Sequence, residues 1–249
     1  MAIFFPRGMR SAALAATVGC MAAAGARAAD LAPPPGALPL PAAAPAPYSW
    51  TGVYGGLQAG HSWGDDKVTD LFTATGAKVG LFNAYKTKGF VGGIYGGADY
   101  QYESLVAGVA ADLEASGLRG SYNDLPKGFD PGGIGKFHVA GQGSLRGRAG
   151  FAFDRFLVYA TGGVAVANLK YSYFNPTNLL SENKSSQRAG WTAGGGIAYA
   201  WTGNIVVQAE YRYTNLGTFN YVSNIAYVGI TARQQPRYGT LRAGVAYRF

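Results

Sequence analysis

The chain has 249 residues and a formal net charge of +8; 48% of it is hydrophobic, 14% is charged, and it holds 38 glycines, 17 tyrosines and 13 phenylalanines. Soluble domains carry about 25% charged residues, so an ordinary water-soluble fold is a poor match, while no internal run reaches the roughly 18 apolar residues a spanning helix requires. A single cysteine excludes a disulfide scaffold.

Residues 1–28 read as a cleaved signal peptide. Arg7 and Arg10 form a positive start, 11–24 is a short apolar run, and Ala26-Arg27-Ala28 places small residues at the cleavage positions. The sole cysteine, Cys20, lies here; Val18-Gly19-Cys20 faintly matches a lipoprotein signal, but Thr17 stands where such signals usually carry leucine. The expected mature chain is exported, holds no cysteine, and keeps +5 of the charge after losing Arg7, Arg10 and Arg27. Residues 29–48 read as a linker. Seven of the 12 prolines fall in 30–47 among alanines, a polyproline-like composition with nothing to bury. The folded domain is predicted over 49–249.

From Trp50 onward, apolar and polar residues alternate with period two, which marks strands. The first strand covers roughly 51–63, with ambiguous faces. It ends in Gly60-His61-Ser62-Trp63-Gly64, which matches the G-x-S-x-G pattern of serine esterases. That motif needs a helix behind it, and the polar stretch Asp65-Asp66-Lys67 is a loop start instead. A second strand covers 88–102. In the third, Leu105, Ala107, Val109, Ala111 and Leu113 oppose Gly108, Asp112 and Glu114. In the fourth, 137–153, one face runs from Phe137 and Val139 through Leu145 to Phe151 and Phe153. The other carries His138, Gln142, Ser144, Arg146 and Arg148. Strands follow over 155–170, again of ambiguous parity, and 187–202. Ile205, Val207, Ala209, Tyr211 and Tyr213 oppose Gln208, Glu210, Arg212 and Thr214; Leu241, Ala243, Val245, Tyr247 and Phe249 oppose Arg242, Gly244 and Arg248.

Eight strands result. Short turns near Tyr102-Glu103, Asp154-Arg155 and 202–204 alternate with long polar segments at 64–87, 116–136, 171–186 and 215–237. This rhythm, the even count and the export signal predict an all-β, eight-stranded antiparallel barrel in the outer membrane, with four long outer loops and both termini in the periplasm. Lipid offers no hydrogen-bond partners, so a spanning sheet must close, apolar outside and polar inside. Aromatic residues gather toward strand ends (Trp50, Tyr54, Trp63, Tyr100, Tyr102, Trp191, Tyr199, Trp201, Tyr211, Tyr213), as expected of interfacial girdles.

Several blocks carry a resemblance. The chain ends in Tyr247-Arg248-Phe249 after alternating apolar residues, which looks like the signal by which outer-membrane barrels are recognised by their assembly machinery. Three blocks, together with the Pro/Ala linker, resemble the alphaproteobacterial outer-membrane β-barrel family of small surface antigens, also labelled porin-family or outer-membrane immunogenic proteins. They are Ser49-Trp50-Thr51-Gly52, Gly143-Ser144-Leu145-Arg146-Gly147-Arg148, and Gly190-Trp191-Thr192-Ala193-Gly194 running into Glu210-Tyr211-Arg212-Tyr213. The resemblance covers 49–249 and implies fold and location more firmly than activity.

An eight-stranded barrel is narrow enough for side chains to fill. Asp112, Glu114, Arg146, Arg148, Glu210, Arg212, Arg242 and Arg248 are the predicted interior charges, and mixed signs predict an ion-paired plug. A narrow selective pore is the alternative. The long segments carry more Lys and Arg than Asp and Glu, so the outward side is basic and suited to lipopolysaccharide phosphates or anionic host and environmental ligands. The dispersal of these cations and the expected location set nucleic acid aside. An esterase reading would need a base for Ser62, and the mature chain offers only His61 and His138. Haemin capture, known among similar proteins, is a further alternative, with His61, His138, Tyr85 or Tyr227 as ligands. The leading expectation is a structural, surface-exposed protein without enzymatic activity or cofactor.

Overall fold

The computed structural model describes residues 47–78, 83–123, 134–174, 179, 181–222 and 230–249. The signal peptide read over 1–28 and most of the linker lie outside the described residues, as do the central parts of the four long segments, including Tyr227. Eleven strands are present: β1 (Gly52–Phe72), β2 (Asn83–Tyr102), β3 (Leu105–Ser116), β4 (Arg119–Asn123), β5 (Ile134–Phe153), β6 (Phe156–Phe174), β7 (Ser181–Ala200), β8 (Ile205–Asn215), β9 (Phe219–Val222), β10 (Ile230–Gln235) and β11 (Arg237–Arg248). They form eight staves, because β3 with β4, β8 with β9, and β10 with β11 each continue one line. Pro236, which lacks an N–H for the ladder, separates the last two.

The sheet is antiparallel and closes on itself. β1 pairs β2 on one side, from Gly52↔Asp99 to Val68↔Asn83, and β11 on the other, from Tyr54↔Arg248 to Gly64↔Tyr238. Closure leaves no sheet edge, as a lipid environment demands. The outer wall is apolar: Leu57, Phe90, Ile94, Val109, Leu113, Leu145, Val164, Ile197, Leu241 and Val245 all point out and are exposed, Phe90 by 78%. In water such a belt would be an aggregation surface; in a bilayer it is solvated by acyl chains.

The structure settles the two ambiguous faces. Tyr54, Gln58 and Ser62 of β1 point inward, and so do Leu157, Tyr159, Thr161, Ala165, Ala167 and Leu169 of β6. Glycine makes room for the interior rings. A Cβ on Gly97 would lie 2.6 Å from the Tyr54 hydroxyl, and one on Gly196 would lie 2.8 Å from that of Tyr159. Each ring covers a glycine of a facing or neighbouring strand, which protects backbone that has no side chain of its own.

Three expectations need correction. Trp50 is wholly buried and Tyr54 is 5% exposed, so neither belongs to the aromatic girdle; both lie inside the barrel. In β5 the register shifts between Val139 and Gly141. The extra residue swaps the faces, so Phe137 and Val139 are buried inside while His138 turns outward, opposite to the uninterrupted alternation. Finally, the long segments are partly strand. β1 runs to Phe72 and β7 starts at Ser181. Twenty residues at about 3.3 Å each exceed what an apolar band of about 25 Å needs even at a 45° tilt, so the staves continue beyond it.

The loop lengths orient the barrel, with short turns on the periplasmic side. A Thr75→Cys variant, at an exposed turn after β1, is expected to react with a membrane-impermeant maleimide on intact cells. Thr202→Cys, in a short turn, should react only after the outer membrane is opened. The reverse pattern would invert the topology.

Candidate functional site in the barrel interior

Inward-facing residues stack in layers whose order follows the strands. Nearest the short turns is an apolar cluster of Trp50, Val106, Ala152, Leu157, Tyr159, Ala198, Ala200 and Val206. Trp50 is pinned there: its Nε1 donates to the Asp154 carbonyl at 3.1 Å, and its backbone N–H donates to Gln101 Oε1 at 2.7 Å. The chain therefore enters the barrel by laying an indole across its mouth.

The next layer centres on Asp99. Its Oδ2 lies 3.3 Å from Arg148 Nη1 and 3.4 Å from Arg248 Nη2. The Arg148 guanidinium sits 3.8 Å from the centre of the Tyr159 ring and donates to the Tyr54 hydroxyl at 3.1 Å. The Arg248 guanidinium lies 5.5 Å from the Trp50 ring. Aromatic faces help to solvate cations that have left water.

Above it is a closed ring of alternating sign. Arg146 bonds Asp112 Oδ2 through Nη2 and Glu210 Oε1 through Nη1, both at 3.0 Å. Arg212 reaches the same two carboxylates at 3.0 Å and 2.7 Å. Ser144 donates to Asp112 and accepts from Arg146 Nε. A fourth layer holds Glu114 against Arg242 in a two-point bond, 2.7 Å from Nε and 2.9 Å from Nη2. The amides of Gln58 and Gln142 also donate to Glu114, and the Tyr238 hydroxyl donates to Gln142. A second apolar cluster follows, formed by Leu118, Phe137, Val139, Ala167, Leu169, Leu216, Phe219 and Tyr238.

Burying a charge costs several kcal/mol unless it is paired and hydrogen-bonded. Here every carboxylate in the middle layers meets at least one guanidinium, whose planar fork suits two-point bonding. Among the described residues, seven ion pairs join four carboxylates to five arginines.

The comparisons agree with this architecture. Residues 35–249 match the family described as the outer membrane protein beta-barrel domain. The chain belongs to that outer-membrane β-barrel family. This family member is 31% identical over 204 residues to the 25 kDa outer-membrane immunogenic protein of Brucella abortus, covering 81% of this chain and 80% of that one. It is 33% identical over 209 residues to the 31 kDa outer-membrane immunogenic protein of Brucella melitensis, covering 81% and 85%. Among solved structures, the outer membrane protein OprG from Pseudomonas aeruginosa matches with a TM-score of 0.50 at 12% identity, over 80% of this chain and 96% of that one, which is a likeness of fold. The protein is thus a surface-antigen-like β-barrel of the Gram-negative outer membrane.

In this outer-membrane barrel, all eight charges named from the sequence are buried, at 2–6% exposure, and each takes part in an ion pair. Asp99 and Gln58 join the predicted charges without having been singled out by the alternation, whereas Gln142 lies on the polar face expected of it; Asp99 is the only acid in 88–102. Ser62 points inward and shares a 2.7 Å bond with Thr240. His61 instead packs against Phe90 and Trp63, with ring centres 5.0 and 6.2 Å away, and His138 also faces out. Neither histidine lies on the Ser62 side of the wall, so the sequence motif assembles no serine–histidine pair. Of the haem ligands considered, His61 is engaged in this aromatic stack. The side chain of Tyr85 is outside the described set. Tyr247 and Phe249 lie on the outer wall at 49% and 79% exposure, with rings 4.9 Å apart.

Proposed function

We propose that the protein is a closed, structural wall element of the outer membrane that contributes to envelope integrity and presents its long segments to the environment or host. One observation carries this reading: the lumen is filled from end to end, with apolar clusters closing both mouths and three ion-paired layers between them. A solute would have to break buried Arg–carboxylate bonds to pass, and the interior of an eight-stranded barrel leaves no space beside them. The exposed terminal pair Tyr247 and Phe249 is the segment offered to the barrel-assembly machinery. Outward cations face lipopolysaccharide, and ligands of the host or environment meet the outer segments.

The purified protein in a planar bilayer is expected to remain electrically silent at moderate voltage. Steady unitary conductance would overturn the structural reading in favour of a narrow diffusion channel. Deletion of the gene is expected to sensitise cells to detergent without altering uptake of small solutes.

A further inference from the structure

We infer that the outer wall carries a defined site for the phosphorylated sugar head group of an outer-leaflet glycolipid, formed by Lys88, Arg119, His138 and Lys170. This deepens the proposal that the barrel's outward cations meet lipopolysaccharide, and it moves the contact from the loops to the barrel wall. The four residues come from four successive staves and are direct register partners: Lys88↔Arg119, Arg119↔His138 and His138↔Lys170. All four face out, because Thr87, Leu118, Val139 and Leu169 beside them are buried inside. With neighbouring strands about 4.8 Å apart, the row spans about 15 Å, the reach of a disaccharide carrying phosphates. Lys136, two residues from His138 and also outward, adds a further cation.

The position of the row selects a lipid head group over a soluble ligand. Its first member is the register partner of Trp63, a half-exposed indole on the outer wall. Two residues further into the membrane from Lys88 is Phe90, 78% exposed, and the apolar belt continues through Ile94 and Val166. The cations thus begin where the lipid-facing belt ends, at the long-segment end of the barrel, and the strand tilt carries the row away from the belt. Head groups occupy that level.

The patch carries a clear excess of positive charge. β2, β4, β5 and β6 contain one acid, Asp99, and it faces inward, while the outward Asp65 of β1, next to the row, is the register partner of a further cation, Lys86. Among the described residues, Lys88, Arg119, Lys136 and Lys170 have no ion-pair partner. A phosphate lying along the row would accept from Lys88, Arg119 and Lys170.

The test uses the folded full chain in detergent micelles. Lipopolysaccharide, the same glycolipid stripped of phosphate, and phosphatidylglycerol are each titrated, with the thermal unfolding temperature and the bound ligand as readouts. Saturable binding to lipopolysaccharide is expected, lost on dephosphorylation and weak with phosphatidylglycerol. The triple variant K88Q/R119Q/K170Q should unfold at the wild-type temperature without ligand and bind about a hundredfold more weakly, from about a factor of five for each cation at a charged membrane surface. A control, R233Q/R237Q, removes outward cations from β10 and β11 and should leave binding intact. Equal losses in the control and the triple variant, or equal binding of phosphatidylglycerol, would overturn the site. Wild-type binding retained by the triple variant sinks the site alone; no lipopolysaccharide binding by the wild type sinks the partner reading with it.

Discussion

Replacing Glu210 with alanine is expected to destabilise the folded barrel by about 3–5 kcal/mol, the usual cost of removing one partner from a buried ion pair. Glu210 holds Arg146 and Arg212 at 3.0 and 2.7 Å. Without it, two guanidinium groups share the single carboxylate of Asp112, and the ring carries an excess positive charge in a site closed to water. Urea-driven unfolding in lipid vesicles, followed by tryptophan fluorescence, measures the loss. The double variant Glu210→Met/Arg212→Met leaves the Arg146–Asp112 pair, 3.0 Å apart, balanced, so most of the loss should return. If the single and double variants were equally damaged, packing volume and not charge balance would be the governing term. An unchanged midpoint in the single variant would show that water reaches this layer.

Trp50→Ala is the second large effect, at about 3–5 kcal/mol for an aromatic side chain removed from a packed core. The indole is 0% exposed, donates to Asp154 and covers Arg248. Its loss leaves a cavity at the periplasmic mouth and strips an aromatic face from a buried cation. The folded band on an unboiled gel should convert to the unfolded one at a lower temperature than in the wild type. The variant should still be silent in a planar bilayer, because the Asp99, Asp112–Glu210 and Glu114 layers remain. Conductance in Trp50→Ala would mean that the indole, and not the ionic core, is what closes the lumen.

These two predictions rest on residues that differ in how far the sequence revealed them. Glu210 alternates cleanly with Ala209 and Tyr211, so its inward position was legible. Trp50 was not: an aromatic residue at a strand end reads the same whether it anchors in the interface or plugs the lumen. The glycine-rich first strand has too few side chains to show which face is which. His138 was misplaced for another reason. A bulge changes the parity of everything on one side of it, and nothing in Phe137-His138-Val139-Ala140-Gly141 marks the extra residue. The long segments read as loops because a strand that has left the lipid no longer needs an apolar outer face, so the period-two contrast fades. Ser181–Ser186 at the start of β7 accordingly shows no alternation, although it pairs with β6 from Phe174 to Leu169.

Period-two alternation, low charge and the turn rhythm were enough to determine a closed outer-membrane barrel, because lipid outside and a filled lumen inside impose opposite chemistry on successive side chains. What the sequence could not determine is which residues meet. Asp99 and Arg248 are 149 positions apart, and Glu114 and Arg242 are 128 apart. Only the closure of β1 on β11 brings Asp99 to Arg248 and Glu114 to Arg242, and only the register of the successive pairs β2–β4, β4–β5 and β5–β6 sets Lys88, Arg119, His138 and Lys170 in one row.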